Sequence, residues 1–345
     1  MPKLIHAFNR FCNSRKTLWV IIVVAGIFLI LQGIKLQKLK HQSVGLINRE
    51  QGGLYFFTNP ILDFELSQTL SEAAIPSGDI RRFVQQLEET SSIQHVSVYF
   101  RDLNNGPWIG INEKEYFSPA SMLKTPLIIA LYKWAEAESG VFSRRVLVED
   151  RFFNNIPRQI NTSSSQLVPG NQYTLLELGE KMIIYSDNVA TNVLYSTIPK
   201  EYIDNTFLNI GVSRVDKGEE ILLRVKDVAS FYRILFNASY LNRQNSESVL
   251  RLLSETTYRG GLAAGVPESI KIAHKFGERF PSSFLPGQEK LKEDLLQIHD
   301  CGIIYFPKKP YILCVMTRGD DLKKQQNIIK EVSSFFYEKI KKEHS

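Results

Sequence analysis

The sequence predicts an α+β fold preceded by a membrane-spanning helix. Three observations carry this reading. An apolar run near the start holds no charge, two early and three late alternating segments bracket a helical middle, and the bulk composition is that of a globular chain. Of 345 residues, 43% are hydrophobic and 23% charged, with 20 Gly, 14 Pro and 3 Cys. Those proportions exclude a wholly disordered chain, a collagen-like repeat and a small disulfide scaffold. They leave room for one sizeable core of roughly 250 residues. The net charge of +6 is local: residues 1–41 hold seven basic residues and no acidic one. The remainder therefore carries 35 basic against 36 acidic residues. A near-neutral body is a poor partner for nucleic acid, so no nucleic-acid partner is expected.

Residues 1–16 form a short basic N-terminus. Residues 17–34, TLWVIIVVAGIFLILQGI, are uncharged and flanked by basic residues. As a helix at ~1.5 Å per residue the run spans about 27 Å, near the hydrocarbon thickness of a thin bilayer. It is longer than a signal-peptide core, no A-x-A site follows, and Cys12 precedes it, so it reads as a single-pass anchor. Basic residues on both sides leave its orientation open. Residues 35–78 mix polar and turn residues and read as a juxtamembrane linker.

Asp79 is the expected N-cap of a helix to about Thr90, with Ile80, Phe83, Val84 and Leu87 on one face. His95–Arg101 alternates as a strand with one apolar face, and the Asn104–Pro107 turn leads into a second at Trp108–Asn112. Helical patterns cover Met122–Glu138, Thr174–Tyr185, Val189–Ser196, Val225–Leu235 and Ser246–Ser254. Late strands are expected at Ser269–Phe276, Cys301–Phe306 and Tyr311–Thr317, and a helix over Gln325–Lys341 closes the chain. Early and late strands joining one sheet around a helical middle is the α+β pattern.

The chemistry is concentrated in three short motifs. Ser121-Met122-Leu123-Lys124 places a hydroxyl and an amine three residues apart on one helical face, where the amine can activate the hydroxyl. Alone this is a weak signal, since about one or two S-x-x-K matches arise by chance in such a chain. Its plain alternative is a solvent-facing helix start. Ser186-Asp187-Asn188 can aim a hydroxyl and an amide into one cleft, or serve only as an N-cap cluster for the next helix. This tripeptide arises by chance in about one chain in twenty. Lys275-Phe276-Gly277 sets a positive charge on a strand, with a glycine that admits a close backbone. His274 and His299 read as structural. No H-E-x-x-H, C-x-x-C, phosphate loop or dinucleotide fingerprint occurs, so neither a metal nor a cofactor is expected. If the last two strands pair with Phe306 opposite Tyr311, Cys314 is only a diagonal neighbour of Cys301. Two buried thiols are then the expectation, with a disulfide as the alternative.

In this order the motifs resemble those of the penicillin-recognising serine hydrolases, most closely the class A β-lactamase-like branch. Phe117–Ala120, Ala190–Asn192 and Gly265–Pro267 add to the likeness, which runs over about residues 79–340. The resemblance implies a mainly antiparallel sheet flanked by helices, within a hydrolase domain at 79–345 that includes a helical subdomain at about 131–224. It implies Ser121 as nucleophile, Lys124 as its base, and Ser186 with Lys275 as a proton-shuttling pair. Asn188 would orient the substrate amide, Gly277 would let the substrate backbone approach, and the backbone N–H groups of Ser121 and Glu278 would form an oxyanion hole. It further implies a β-lactam or peptidoglycan-like substrate and a catalytic domain outside the membrane, with the N-terminus cytoplasmic.

Two departures stand out. Phe276 replaces a hydroxyl residue that would hold a substrate carboxylate, a contact that falls to Arg279 instead. No Glu-x-x-Leu-Asn segment supplies a base for deacylation, and Glu219 and Glu220 are the nearest substitutes in sequence. The leading expectation is a β-lactam hydrolase with slow deacylation. The alternatives are a D,D-peptidase or esterase on cell-wall material, and a non-catalytic binding protein.

Overall fold

The computed structural model describes residues 56–58, 77–91, 93–104, 107–154, 156, 159, 167–217, 220–280 and 295–344, all within one compact unit spanning Gln51–Ser345. The expected N-terminus, anchor and most of the linker lie outside the described residues. Among the described residues no helix is long and apolar enough to cross a membrane.

Nine helices and ten strands are described: α1 Ser77–Ser91, β1 His95–Asp102, β2 Trp108–Ile111, β3 Tyr116–Phe117, α2 Lys124–Ala137, β4 Arg145–Leu147, β5 Gln172–Thr174, α3 Leu175–Ile184, α4 Asn188–Thr197, α5 Lys200–Ile210, β6 Val215–Lys217, β7 Glu220–Arg224, α6 Val225–Phe236, α7 Arg243–Ser254, α8 Gly261–Ala264, β8 Ile272–Arg279, β9 Leu296–Ile304, β10 Tyr311–Gly319 and α9 Leu322–His344. The main sheet is antiparallel throughout, in the order β2-β1-β10-β9-β8. Both chain ends thus complete it, as the segment order predicts, and β8 is left as an edge. A fold of this kind, a helix-flanked antiparallel sheet, is the one the resemblance implies.

Helices cover both faces. Behind the sheet, Ile80 and Val84 of α1 with Ile328, Val332 and Phe336 of α9 pack on Val96, Val98, Leu313 and Val315. In front, Ile128 and Leu131 of α2, Leu178 of α3 and Phe231 and Leu235 of α6 pack with Cys301, Cys314 and Met316. That two-sided cover corrects the one-faced strand expected at His95–Arg101, because β1 is buried on both faces from Val96 to Phe100. For the same reason α2 is buried all round from Lys124 to Tyr132. A helix apolar on every side belongs in the middle of a domain.

Other boundaries also shift. α1 starts at Ser77, which puts Asp79 inside the first turn, where its carboxylate meets Arg82 at 2.6 Å. β8 runs on to Arg279, so the Lys275–Gly277 triplet lies within a strand rather than at its end. β9 begins at Leu296, five residues before its expected start. In the β9–β10 hairpin Tyr311 pairs with Ile304, not Phe306, because a turn closed by the Lys309 N–H on the Phe306 carbonyl takes up the residues between. This two-residue change of register puts Cys314 directly opposite Cys301, and the two are joined in a disulfide in place of the expected buried thiols.

One piece of the expected linker docks on the domain. The backbone N–H groups of Phe56, Phe57 and Thr58 donate to the buried Glu247 carboxylate at 2.7 to 2.9 Å. The Tyr305 hydroxyl donates to the Phe57 carbonyl at 3.0 Å.

Candidate active site

The turn that carries Ser121 is held from beneath by β9. Ser118 donates its N–H to Gln297 Oε1 at 3.0 Å, and its carbonyl lies 2.9 Å from His299 Nε2. His299 Nδ1 accepts the Thr317 N–H at 3.2 Å, which assigns the imidazole proton to Nε2 and makes Ser118 O the acceptor. Burial pushes this imidazole down to about 3, so it stays neutral near pH 7. The chain then reverses through Ala120, whose φ of 50° lies in the left-handed region, into a short 3₁₀ turn, Ala120–Leu123. Such backbone costs a non-glycine residue about 1–3 kcal/mol and persists only where the surroundings enforce it. Gly277 of β8 lies against this turn: a Cβ there would sit 2.5 Å from the Pro119 carbonyl oxygen. The glycine makes room for the protein's own backbone here.

Lys124 opens α2 and is almost wholly buried. Its Nζ donates to the Ser186 carbonyl at 2.5 Å, Ser186 Oγ at 3.0 Å and Asn188 Oδ1 at 2.7 Å. Lys275 Nζ donates to the same Ser186 Oγ at 2.9 Å. Ser186 reaches this position because α3 ends at Ile184 and the chain reverses, with Ser186 at φ 56°. Asp187 caps α4 through the N–H groups of Val189 and Ala190, at 2.8 and 3.0 Å. Both readings of this tripeptide therefore hold together: its middle residue caps, and its outer two face the lysines. Burial, and then the neighbouring Lys275, drive the Lys124 ammonium well below its ordinary range. Burial pulls Lys275 down to about 7, against the opposing pull of Asp300 and Glu278. Two cations sharing one hydroxyl in a dry site both favour losing a proton.

Gln159, which no motif pointed to, donates to Ser121 Oγ at 3.1 Å and reaches Asn188 Oδ1 at 3.5 Å. Arg279 Nε donates to Glu220 Oε1 at 2.5 Å. The same contact engages Glu220, while Glu219 lies outside the described residues. Phe276 lies on β8 beside Lys275. Its ring is buried and stacked on Tyr258 with centroids 4.1 Å apart. His274 and Phe276 alternate with Lys275 along β8 and so lie on its opposite face. On that face His274 Nδ1 meets Asp300 Oδ1 at 2.8 Å, and Asp300 Oδ2 accepts the Leu262 N–H at 2.9 Å. Among the described residues no cluster of three or more His, Cys, Asp or Glu side chains is placed to hold a metal ion.

Fold and motif placement together define a penicillin-recognising serine hydrolase fold. Residues 79–340 match the sequence profile of the β-lactamase enzyme family, and the chain belongs to that family. Among solved structures, a mutant of PBP-A in acyl-enzyme complex with penicillin G aligns with a TM-score of 0.66 and 20% identity, over 79% of this chain and 100% of that one. A β-lactamase from Chitinophaga pinensis aligns with a TM-score of 0.64 and 18% identity, over 75% and 98%. The TLA-1 extended-spectrum β-lactamase gives 0.65 and 16%, over 76% and 99%. At these identities the likeness is one of fold. A comparison with curated proteins finds no match.

Proposed function

We propose that the chain is a membrane-anchored serine hydrolase that forms an acyl-enzyme on Ser121, with β-lactams and related cell-wall amides as substrates. The observation that carries this reading is the buried relay Lys124–Ser186–Lys275, two depressed lysines on one hydroxyl, beginning one helical turn from Ser121. Lys124, once neutral, keeps two N–H groups to donate, turns its lone pair to Ser121 and takes the Oγ proton as Oγ attacks the carbonyl carbon. The oxyanion forms against the N–H groups of Ser121 and Glu278. The proton then passes through Ser186, beside Lys275, to the departing nitrogen. Lys124 holds Asn188 Oδ1, which sets the orientation of that amide toward the substrate.

Deacylation is slow in this reading. Glu278 is the one acidic residue among the described residues lining the cleft, and its charge acts on Lys124 and Lys275. With Glu220 bound to Arg279, water at the acyl ester lacks a positioned base worth about two to four orders of magnitude. This favours a penicillin-binding or D,D-peptidase-like role over rapid drug destruction. The proposed location is the cell membrane, anchored through residues 17–34 with the N-terminus cytoplasmic and the hydrolase outside. The Cys301–Cys314 disulfide supports that side, because such bonds persist in oxidising compartments.

The test is intact-mass analysis of the detergent-solubilised chain after incubation with benzylpenicillin. One added drug molecule, absent from Ser121→Ala and persisting for minutes or longer after excess drug is removed, is the expected result. No adduct, or an adduct that survives Ser121→Ala, overturns the reading.

A further inference from the structure

Ser121 and Lys124 open onto a cavity of about 310 Å³ that also takes in Asn188, Gln159 and Glu278. Its walls are Leu123 and Leu127 at the start of α2, Tyr195 of α4, Ile203 and Phe207 of α5, and Ile221 of β7. Several of the polar residues along it are already engaged by the protein. Thr191 Oγ1 donates to the Asp187 carbonyl at 2.7 Å, and Asn192 Nδ2 to the Phe152 carbonyl at 3.0 Å. Arg214 meets Asp204 and Asp216 at 3.4 Å each and lies over the Phe207 ring, 5.5 Å from its centroid. What the cavity offers a ligand is therefore chiefly hydrocarbon surface, with Ser121 and Lys124 at its mouth.

The side of the substrate it serves follows from the relay. The cavity is lined by Ser121 and Lys124 but by neither Ser186 nor Lys275, the pair placed to protonate a leaving group. The departing half of a substrate lies toward that pair, so the half that stays on Ser121 lies toward Leu127 and Ile203. We infer that the cavity is an acyl-chain subsite, and that the enzyme accepts esters of medium-length aliphatic acids as well as amides. At ~30 Å³ for a water-sized group, 310 Å³ holds about ten heavy atoms, an acyl chain of roughly eight to ten carbons. The inference rests on the assignment of Ser121 as nucleophile. The reaction is ordinary acyl transfer. The Ser121 Oγ–carbonyl bond forms, the ester C–O bond breaks, and the Ser121 proton leaves on the alcohol. Water then releases the fatty acid and restores the hydroxyl.

The experiment measures kcat/KM of the full chain in lipid nanodiscs on p-nitrophenyl esters from acetate to dodecanoate, with Ser121→Ala as background. Full burial of a methylene is worth about fourfold. The expected series rises by up to that factor per carbon to octanoate or decanoate, then levels or falls. Ile203→Trp, which fills the cavity, should lower the octanoate-to-acetate ratio at least tenfold. Phe207→Ala, which enlarges it, should move the optimum to longer acids. A flat or falling series, with benzylpenicillin still labelling Ser121, overturns the acyl-chain subsite and leaves the nucleophile assignment standing. Neither labelling nor Ser121-dependent ester cleavage removes both.

Discussion

The two faces of β8 carry buried polar clusters that differ by one step along the strand and are satisfied in opposite ways. On the cleft face Lys275 shares Ser186 with Lys124, and neither ammonium has a carboxylate among its hydrogen-bond partners described above. On the far face Asp300 binds His274 and the Leu262 N–H, an acid with a base and a backbone donor. The far cluster offsets its own desolvation and ties β8 and β9 to α8, so it is structural. The cleft cluster buries two lysines whose desolvation outweighs the pull of Asp187, Asp300 and Glu278, which lowers their proton affinity and favours a neutral amine. A buried polar group is thus marked as chemical or structural by how completely its charge is answered.

The largest expected effect breaks the cleft cluster. Lys124→Ala should slow acylation of Ser121 by benzylpenicillin by about two to four orders of magnitude, followed by stopped-flow or quenched mass analysis. Circular dichroism should show the fold retained. An unchanged rate would make Lys124 a structural lysine.

A pH profile sharpens the same contrast. Only neutral Lys124 can act as a base, so below its pKa the acylation rate should fall about tenfold per unit, roughly a hundredfold over two units. Because burial and Lys275 depress this group well below 10.5, the rate should reach its plateau well before pH 10. A rate still climbing tenfold per unit at pH 10 would mean that Lys124 titrates as an ordinary surface lysine.

The cleft cluster was legible in the sequence and the far one was not, for a physical reason. Ser121 with Lys124, and Ser186 with Asn188, owe their spacing to a single helical turn or tight reversal, so adjacency in sequence already fixes adjacency in space. Asp300 of the far cluster, like Gln297 and His299 beneath the Ser121 turn, acts on other segments, which only strand register can bring near. Their polarity also breaks the apolar alternation, which is why β9 reads as starting at Cys301. The helix α5 was missed because just Ile203, Thr206 and Phe207 of its eleven residues are buried, too thin an apolar stripe to read as a helix. Strands of two to five residues such as β3 and β7 hold too few positions to show a period.

Breaking the far cluster should give the converse result. Asp300→Ala leaves the Leu262 N–H and His274 Nδ1 without their acceptor, at a cost of about 2–3 kcal/mol in unfolding free energy. That is a shift of roughly 4–12 °C in melting temperature for a domain of this size. Acylation by the fraction that remains folded should change by much less than in Lys124→Ala. A loss of acylation as large as that of Lys124→Ala, with stability unchanged, would mean that Asp300 belongs to the chemistry and that the two faces act as one.

The smallest effect is expected where a third buried charge is answered in yet another way. Glu247 is 3% exposed, and its carboxylate accepts the backbone N–H groups of Phe56, Phe57 and Thr58. An acid met by three backbone donors resembles the far face of β8, so its removal should cost stability and leave chemistry alone. In Glu247→Gln one oxygen becomes an NH₂ that faces an N–H, and the remaining oxygen loses its charge. The expected cost is about 1–2 kcal/mol, a downward shift of roughly 2–8 °C. Limited proteolysis should show the chain around residue 57 cut sooner than in the parent protein, because these hydrogen bonds hold that segment to the domain. Acylation by benzylpenicillin should keep its rate. If the segment stays protected and the melting temperature is unchanged, the docking rests on Phe57 packing against Tyr305, and a carboxylate met only by backbone donors adds nothing to it.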